Sequence, residues 1–284
     1  MSETERRSAL LLLAILGAAA LFMTALAPLA LAGLAIPVAL IGAWFLLSGA
    51  ARRSRTTIYL IVFLSVFLLD ATFRVRDYAD KGIDFQVLIK IAIWLTIAAV
   101  ALFHASRWLG EILTPGNLPW ILFLLWLLFT ATLSPIPAYS AFTAFSICAH
   151  VAFCAYLFSN FERAEIFAVM VLALTAFCLV SIAVYFAVPE FGRFVYWLNE
   201  QRYVSPRLAG IAGSANNMGR LAAFGLILII LYASAFRRLH PLLVPVCGFT
   251  LALSLVMTNS RSSMIMVIAL GFSSACSAGA ASRI

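Results

Sequence analysis

Charge is what this 284-residue chain has least of: Asp, Glu, Lys and Arg together make up 11% of it. Soluble domains carry about 25%, so a single water-solvated globule is excluded. Lysine is almost missing, with only Lys81 and Lys90 beside seventeen arginines. The net charge of +8 is spread singly between apolar runs, and without a dense basic patch or stripe nucleic acid is excluded as a partner. No CxxC pair and no His/Cys ligand spacing occurs. The five cysteines, Cys148, Cys154, Cys178, Cys247 and Cys276, fall inside apolar stretches. Neither a disulfide framework nor a metal site is expected from them, and no cofactor is implied. Internal repeats and low-complexity tracts are also missing.

What remains is apolar. Hydrophobic residues are 64% of the chain and the mean hydropathy is +1.07. That predicts an all-α, polytopic membrane helix bundle forming a single transmembrane domain over 1–284. A span needs about 20 mostly apolar residues. Runs of that kind predict helices near 9–26, 29–49, 58–73, 87–105, 119–136, 139–158, 166–188, 216–236 and 242–258. A weaker tenth runs from 264 towards 279, giving nine to ten helices. The final stretch 273–284 is small and polar, unlike the Leu-rich helices before it, and is expected to be an atypical, truncated tail.

Basic residues in short loops stay on the cytoplasmic side. Placing the N-terminus in the cytoplasm keeps Arg52, Arg53, Arg55, Arg107, Arg163, Arg237 and Arg238 inside. The same choice puts Arg74, Arg76, Lys81, Arg193, Arg202 and Arg207 in outer loops, with Lys90, Arg220 and Arg261 at or just inside outer helix ends. Arginine at bilayer depth costs at least ~2.5 kcal/mol, so Arg220 and Lys90, about a turn inside their helices, need partners, a polar cavity, or a route for snorkelling to the interface.

The outer loop 189–215 holds the densest signal. Phe191, Phe194, Val195 and Leu198 recur at helical spacing and predict an amphipathic interfacial helix. After Pro206 comes a run with Arg207, Gly210, Gly213, Asn216, Asn217 and Arg220. The glycines permit a tight turn or close approach to a ligand. The asparagines can cap the next helix, whose first amides and positive dipole end favour an anion. Guanidinium groups beside free amides suit phosphate. Arg261 lies in a second outer turn, Asn259-Ser-Arg261. A third candidate is the loop after Asp70, where Arg74, Arg76 and Lys90 would assist with a polyanionic head group; Asp70 and Lys90 could instead pair with each other. His104 and His240 are expected near the inner side and His150 within a span, so no histidine falls with the arginines. No catalytic base is assigned.

Arg207-Leu-x-Gly-x-x-Gly-x-x-Asn216 opening a helix, with Ser260-Arg261 at an outer turn some forty residues later, resembles the O-antigen ligase and polysaccharide polymerase superfamily. The hairpin 73–90 is similar to its exopolysaccharide-polymerase branch. The resemblance implies a GT-C type glycosyltransferase of the bacterial inner membrane. Such an enzyme moves a glycan from an undecaprenyl-diphosphate carrier to an acceptor hydroxyl at the periplasmic face, without metal or cofactor. It further implies that Arg207 and Arg261 hold the diphosphate, with lipids and polysaccharide export proteins as partners. The family's usual Asn-Pro is replaced by Ser214-Ala215, and the Gly after Ser-Arg by Ser262. The family's histidine-bearing periplasmic loop would lie beyond Arg261. A transporter or flippase for a lipid-linked anion, and a non-catalytic membrane scaffold, are the alternative readings.

Overall fold

The structure, a computed structural model, describes residues 54–72, 85–194, 197–198, 202–203 and 206–281. Expectations for 9–26 and 29–49, and for Arg74 and Arg76, lie outside the described residues. Nine α-helices of eight residues or more are described: α1 (Arg55–Leu69), α2 (Phe85–Phe103), α3 (Ala105–Ile112), α4 (Leu118–Thr132), α5 (Pro137–Asn160), α6 (Arg163–Ala187), α7 (Ala215–Leu239), α8 (Leu243–Thr258) and α9 (Arg261–Ala281). The remaining seven expected spans and the weaker tenth each fall on one of them. Five helices are long and apolar enough to cross a membrane. The helices α1 and α8, at 15 and 16 residues, reach only about 24 Å at 1.5 Å per residue, short of a ~30 Å hydrocarbon core.

Contacts group the chain into two units, one with 1–61 and 87–160 and one with 62–86 and 161–284. The first contains α2 to α5 with the start of α1. Its α4 begins with Pro119 in the first turn, where a missing N–H costs nothing, and packs chiefly on α5. The helix α3 occupies what the sequence places in a soluble connection. It forms because Trp108 folds inward: the ring is buried and its Nε1 donates to the Ala101 carbonyl at 2.8 Å. His104, at the α2–α3 break, stacks on Tyr156 of α5 with centroids 4.9 Å apart. Arg107 donates to Asn160 Oδ1 at 3.3 Å.

The second unit is built on α6, α7, α8 and α9. Its core is α7 packed on α8, α9 and α6, with Leu174, Phe177, Met218, Ala222 and Leu251 fully buried. Small residues let the helices close in: a Cβ on Gly225 would lie 2.8 Å from Leu251 Cδ1. Hydroxyls at this interface turn back on their own helix. Thr175 donates to Val171, Thr250 to Val246, Ser254 to Thr250 and Thr258 to Leu255, so none is left unpaired in an apolar interior.

Among the described residues of 189–215, strands stand where the amphipathic helix is expected. After one helical turn at Pro189–Gly192 the chain extends. β1 (Arg193–Phe194) pairs antiparallel with β4 (Arg207–Leu208), and β2 (Trp197–Leu198) pairs with β3 (Arg202–Tyr203). Gly192 stops the helix by packing on the backbone of α6, where a Cβ would lie 2.6 Å from the Tyr185 Cα. Arg193 then fixes the first strand, donating from Nε to the Tyr185 carbonyl at 3.1 Å with its guanidinium 4.7 Å above the Tyr185 ring. Tertiary contacts to α6 therefore override the helical spacing of Phe191, Phe194 and Leu198, and aromatic residues suit the strand pairing that replaces it.

Candidate functional site

The second unit brings β4, the start of α7 and the end of α8 together, and Arg207 is the residue common to all three. Its Nε donates to the Thr258 carbonyl at 2.6 Å. Its Nη2 donates to the Asn259 carbonyl at 3.1 Å and to Asn216 Oδ1 at 3.2 Å. Thr258 and Asn259 close α8, and Asn259 adopts the left-handed conformation at φ 48° and ψ 40°. The carbonyls at a helix end lack intrahelical donors and carry the negative pole of the helix dipole, which is why a guanidinium settles there.

The loop between β4 and α7 is held from beneath. Leu208, Ala209 and the short 3₁₀ turn Gly210–Ala212 are buried. The Ile211 amide donates to Ser181 Oγ on α6 at 3.2 Å, and the Ile211 carbonyl accepts from the Thr72 amide at 2.6 Å. Gly210 has φ +53°, and a Cβ there would lie 2.1 Å from the Ser181 Cβ. Gly213 has φ +69° beside Thr72. These two glycines thus shape the loop against α6 and the end of α1.

At the α7 N-terminus Ser214 is the cap. Its Oγ accepts from the Asn217 amide at 3.2 Å and its carbonyl from the Met218 amide at 3.0 Å. The Ala215 and Asn216 amides are not paired among the described residues. A pocket of about 170 Å³ opens here, lined by Phe194, Arg207, Ser214, Ala215 and Asn216. One wall is aromatic, one is a guanidinium, and one is a helix N-terminus with free amides, the combination that attracts an anion.

Arg220, one turn further along α7, is exposed and donates from Nη2 to Asn217 Oδ1. Arg261, the first residue of α9, is exposed and has no partner among the described residues. Ser260 beside it is buried, and its Oγ lies 2.9 Å from Ser263 Oγ. No carboxylate pairs with Arg207, Arg220 or Arg261 among the described residues. Of the accessory candidates, only Lys90 is described; it is half-buried on α2 in the other unit. Asp70 is exposed at the end of α1.

Three features here escape a reading of the sequence. Phe194 enters the pocket wall through strand pairing opposite Arg207, which its helical spacing with Phe191 conceals. Ser181, on a helix expected only to span, receives the loop. The bond from Arg207 to the end of α8 joins residues more than fifty positions apart and leaves no local signature. Within this unit His240 follows the far end of the 25-residue α7; His104 and His150 belong to the other unit. His150 Nδ1 lies 2.7 Å from the Ser146 carbonyl on its own helix. Among the described residues no cluster of His, Cys, Asp and Glu could hold a metal. Comparison with family models, with curated proteins and with solved structures returned no significant match.

Proposed function

We propose that this chain is a multi-pass protein of the bacterial inner membrane, with its N-terminus in the cytoplasm, that binds the diphosphate of an undecaprenyl-diphosphate-linked glycan at the periplasmic face. In the fuller form of this reading it is an O-antigen-ligase-like or polymerase-like glycosyltransferase that moves that glycan to an acceptor hydroxyl in cell-surface polysaccharide biosynthesis. The observation that carries the proposal is Arg207 lining a pocket with the Ala215 and Asn216 amides, with Arg220 and Arg261 exposed on the adjoining α7 and α9 and none of the three paired to a carboxylate among the described residues.

Pocket size supports an anionic end group rather than a whole glycan. About 170 Å³ is below the ~300–1,000 Å³ of sites that enclose a complete small molecule. A phosphate at the pocket would meet the Ala215 and Asn216 amides. The isoprenoid tail would leave along apolar helix faces and the sugars towards water. In glycan transfer the negative charge grows on the departing diphosphate, and fixed guanidinium groups that gain energy as it grows lower the barrier. The acceptor hydroxyl must also lose a proton, and no described residue at the pocket is a base for that step. This favours, as a second reading, lipid-diphosphate binding without transfer.

The test is binding of undecaprenyl diphosphate to the purified chain in lipid nanodiscs, with undecaprenol as the uncharged control. The diphosphate is expected to bind at least tenfold more tightly, with affinity falling as salt is raised. Equal affinity for the two lipids, insensitive to salt, would sink the proposal. Glycan transfer is scored separately, by supplying a lipid-linked glycan and an acceptor; binding without transfer selects the second reading.

A further inference from the structure

Within the proposed site, the three arginines are not equivalent. Arg207 spends Nε and Nη2 on three protein oxygens, two of them the carbonyls that close α8. Arg261 is two residues beyond Asn259, exposed, and bonded to nothing among the described residues. We infer that Arg207 is a positioning residue, which holds the turn between α8 and α9 so that Arg261 is presented to the phosphate. This rests on the lipid-diphosphate reading above, and it separates two residues that spacing alone treats as a matched pair.

The geometry of the turn is the argument. Asn259 closes α8 in the left-handed conformation, which Asn takes readily at a helix C-terminus. Arg207 ties this turn to β4 through the Thr258 and Asn259 carbonyls. On the other side of the turn, Gly219 packs on Ser260, and Ser260 is paired with Ser263. The backbone before Arg261 is therefore gripped from β4 and from α7 at once, while the Arg261 side chain is bonded to none of the described residues. Arg207 needs the planar fork for this: Nε and Nη2 diverge to reach successive carbonyls, and a lysine ammonium on a flexible stem offers no equivalent pair.

Hydrogen exchange and lipid binding on the full chain in nanodiscs test the assignment together. Arg207→Lys is expected to speed exchange in the segment 258–264 by about tenfold or more, the scale of one lost hydrogen bond to a charged group. Peptides from the α6 and α7 core should exchange as in the parent. Arg261→Lys should leave exchange in 258–264 unchanged and weaken undecaprenyl-diphosphate binding by about tenfold. If Arg207→Lys weakens binding with exchange in 258–264 unchanged, Arg207 is a direct phosphate contact and the inference is overturned. If Arg207→Lys unfolds the chain, Asn216→Ala removes only the side-chain anchor of Nη2. A local rise of a few-fold in 258–264 then supports the inference, and no rise overturns it. Failure of the parent to prefer the diphosphate over undecaprenol removes the functional reading alone, since the exchange measurement decides what Arg207 holds.

Discussion

Gly219 of α7 and Ser260 at the start of α9 are in backbone-close contact: a Cβ on Gly219 would lie 2.6 Å from the Ser260 Cβ and 3.0 Å from its Oγ. The neighbouring residues are Arg220 and Arg261, so this one contact brings the two exposed arginines of the site onto adjoining helices. Gly219→Ala is expected to force α7 and α9 apart. Overpacking of this kind costs about 1–3 kcal/mol, and the loss should appear as a lowered unfolding midpoint in detergent. An unchanged midpoint would show that α9 yields freely and that the two arginines are not held together by this packing.

Gly210 makes the stronger demand. Its φ of +53° disfavours any side chain, and the obstruction includes the Ser181 Cα at 2.7 Å as well as the side chain. Gly210→Ala is expected to cost more than Gly219→Ala, because left-handed strain of ~1–2 kcal/mol adds to the overpacking. Its yield of folded protein by size-exclusion chromatography should be the lowest of the glycine variants. A normal yield would mean the loop has room that the structure does not show.

Removing the hydroxyl beneath the loop is a separate probe. Ser181→Ala strips the Ile211 amide of its acceptor in a buried setting, which costs about 1–3 kcal/mol. The expected result is a lower midpoint together with weaker undecaprenyl-diphosphate binding, since the loop carries Arg207 to the pocket. Weakened binding without any loss of stability would instead put Ser181 in contact with the ligand.

The spans were legible because lipid imposes one rule: a run of about 20 apolar residues must be helical to satisfy its own backbone. That rule places α2, α5, α6 and α7 to within a few residues. The cap expected at Asn216-Asn217 falls instead on Ser214, because the two asparagine side chains accept from Arg207 and Arg220. The rule says nothing about 189–215, where Arg193 and Gly192 bind α6 and a hairpin replaces the expected helix. Nor does it show α3, which depends on Trp108 finding a carbonyl seven residues back. Both misses lie where side chains, not hydropathy, choose the backbone. Arg207 falls between the two cases: as a charge beside glycines it stood out, but its attachment to α8 required the fold.

Sidedness has its own test. With the N-terminus in the cytoplasm, the exposed residue Ser262 faces the periplasm and Arg238 the cytoplasm. A cysteine at 262 should react with a membrane-impermeant maleimide added to intact cells, and a cysteine at 238 should react only after permeabilisation. The reverse pattern would place the pocket on the cytoplasmic side and remove the periplasmic part of the proposal.

Arg220 is expected to have a graded role. It is exposed and leans on Asn217, so its charge reaches the α7 N-terminus without filling the pocket. Arg220→Ala should weaken undecaprenyl-diphosphate binding several-fold and reduce its salt dependence, with little change in unfolding midpoint. Parent-like affinity and salt dependence would confine the anion site to Arg261 and the helix amides.

The near-total exposure of α4, of whose spanning window only 6% is buried inside the protein, changes what its sequence is answerable to. Leu122, Phe123, Leu125 and Trp126 are all exposed among the described residues, so their identities can interchange where the helix still partitions out of water. Such a segment drifts quickly between descendants while keeping its hydropathy, and pairwise comparison loses it first. The Arg207 loop is under the opposite rule. Kinship for this chain is therefore to be sought by a few fixed letters around Gly210 and Arg261, and hardly at all by its spans.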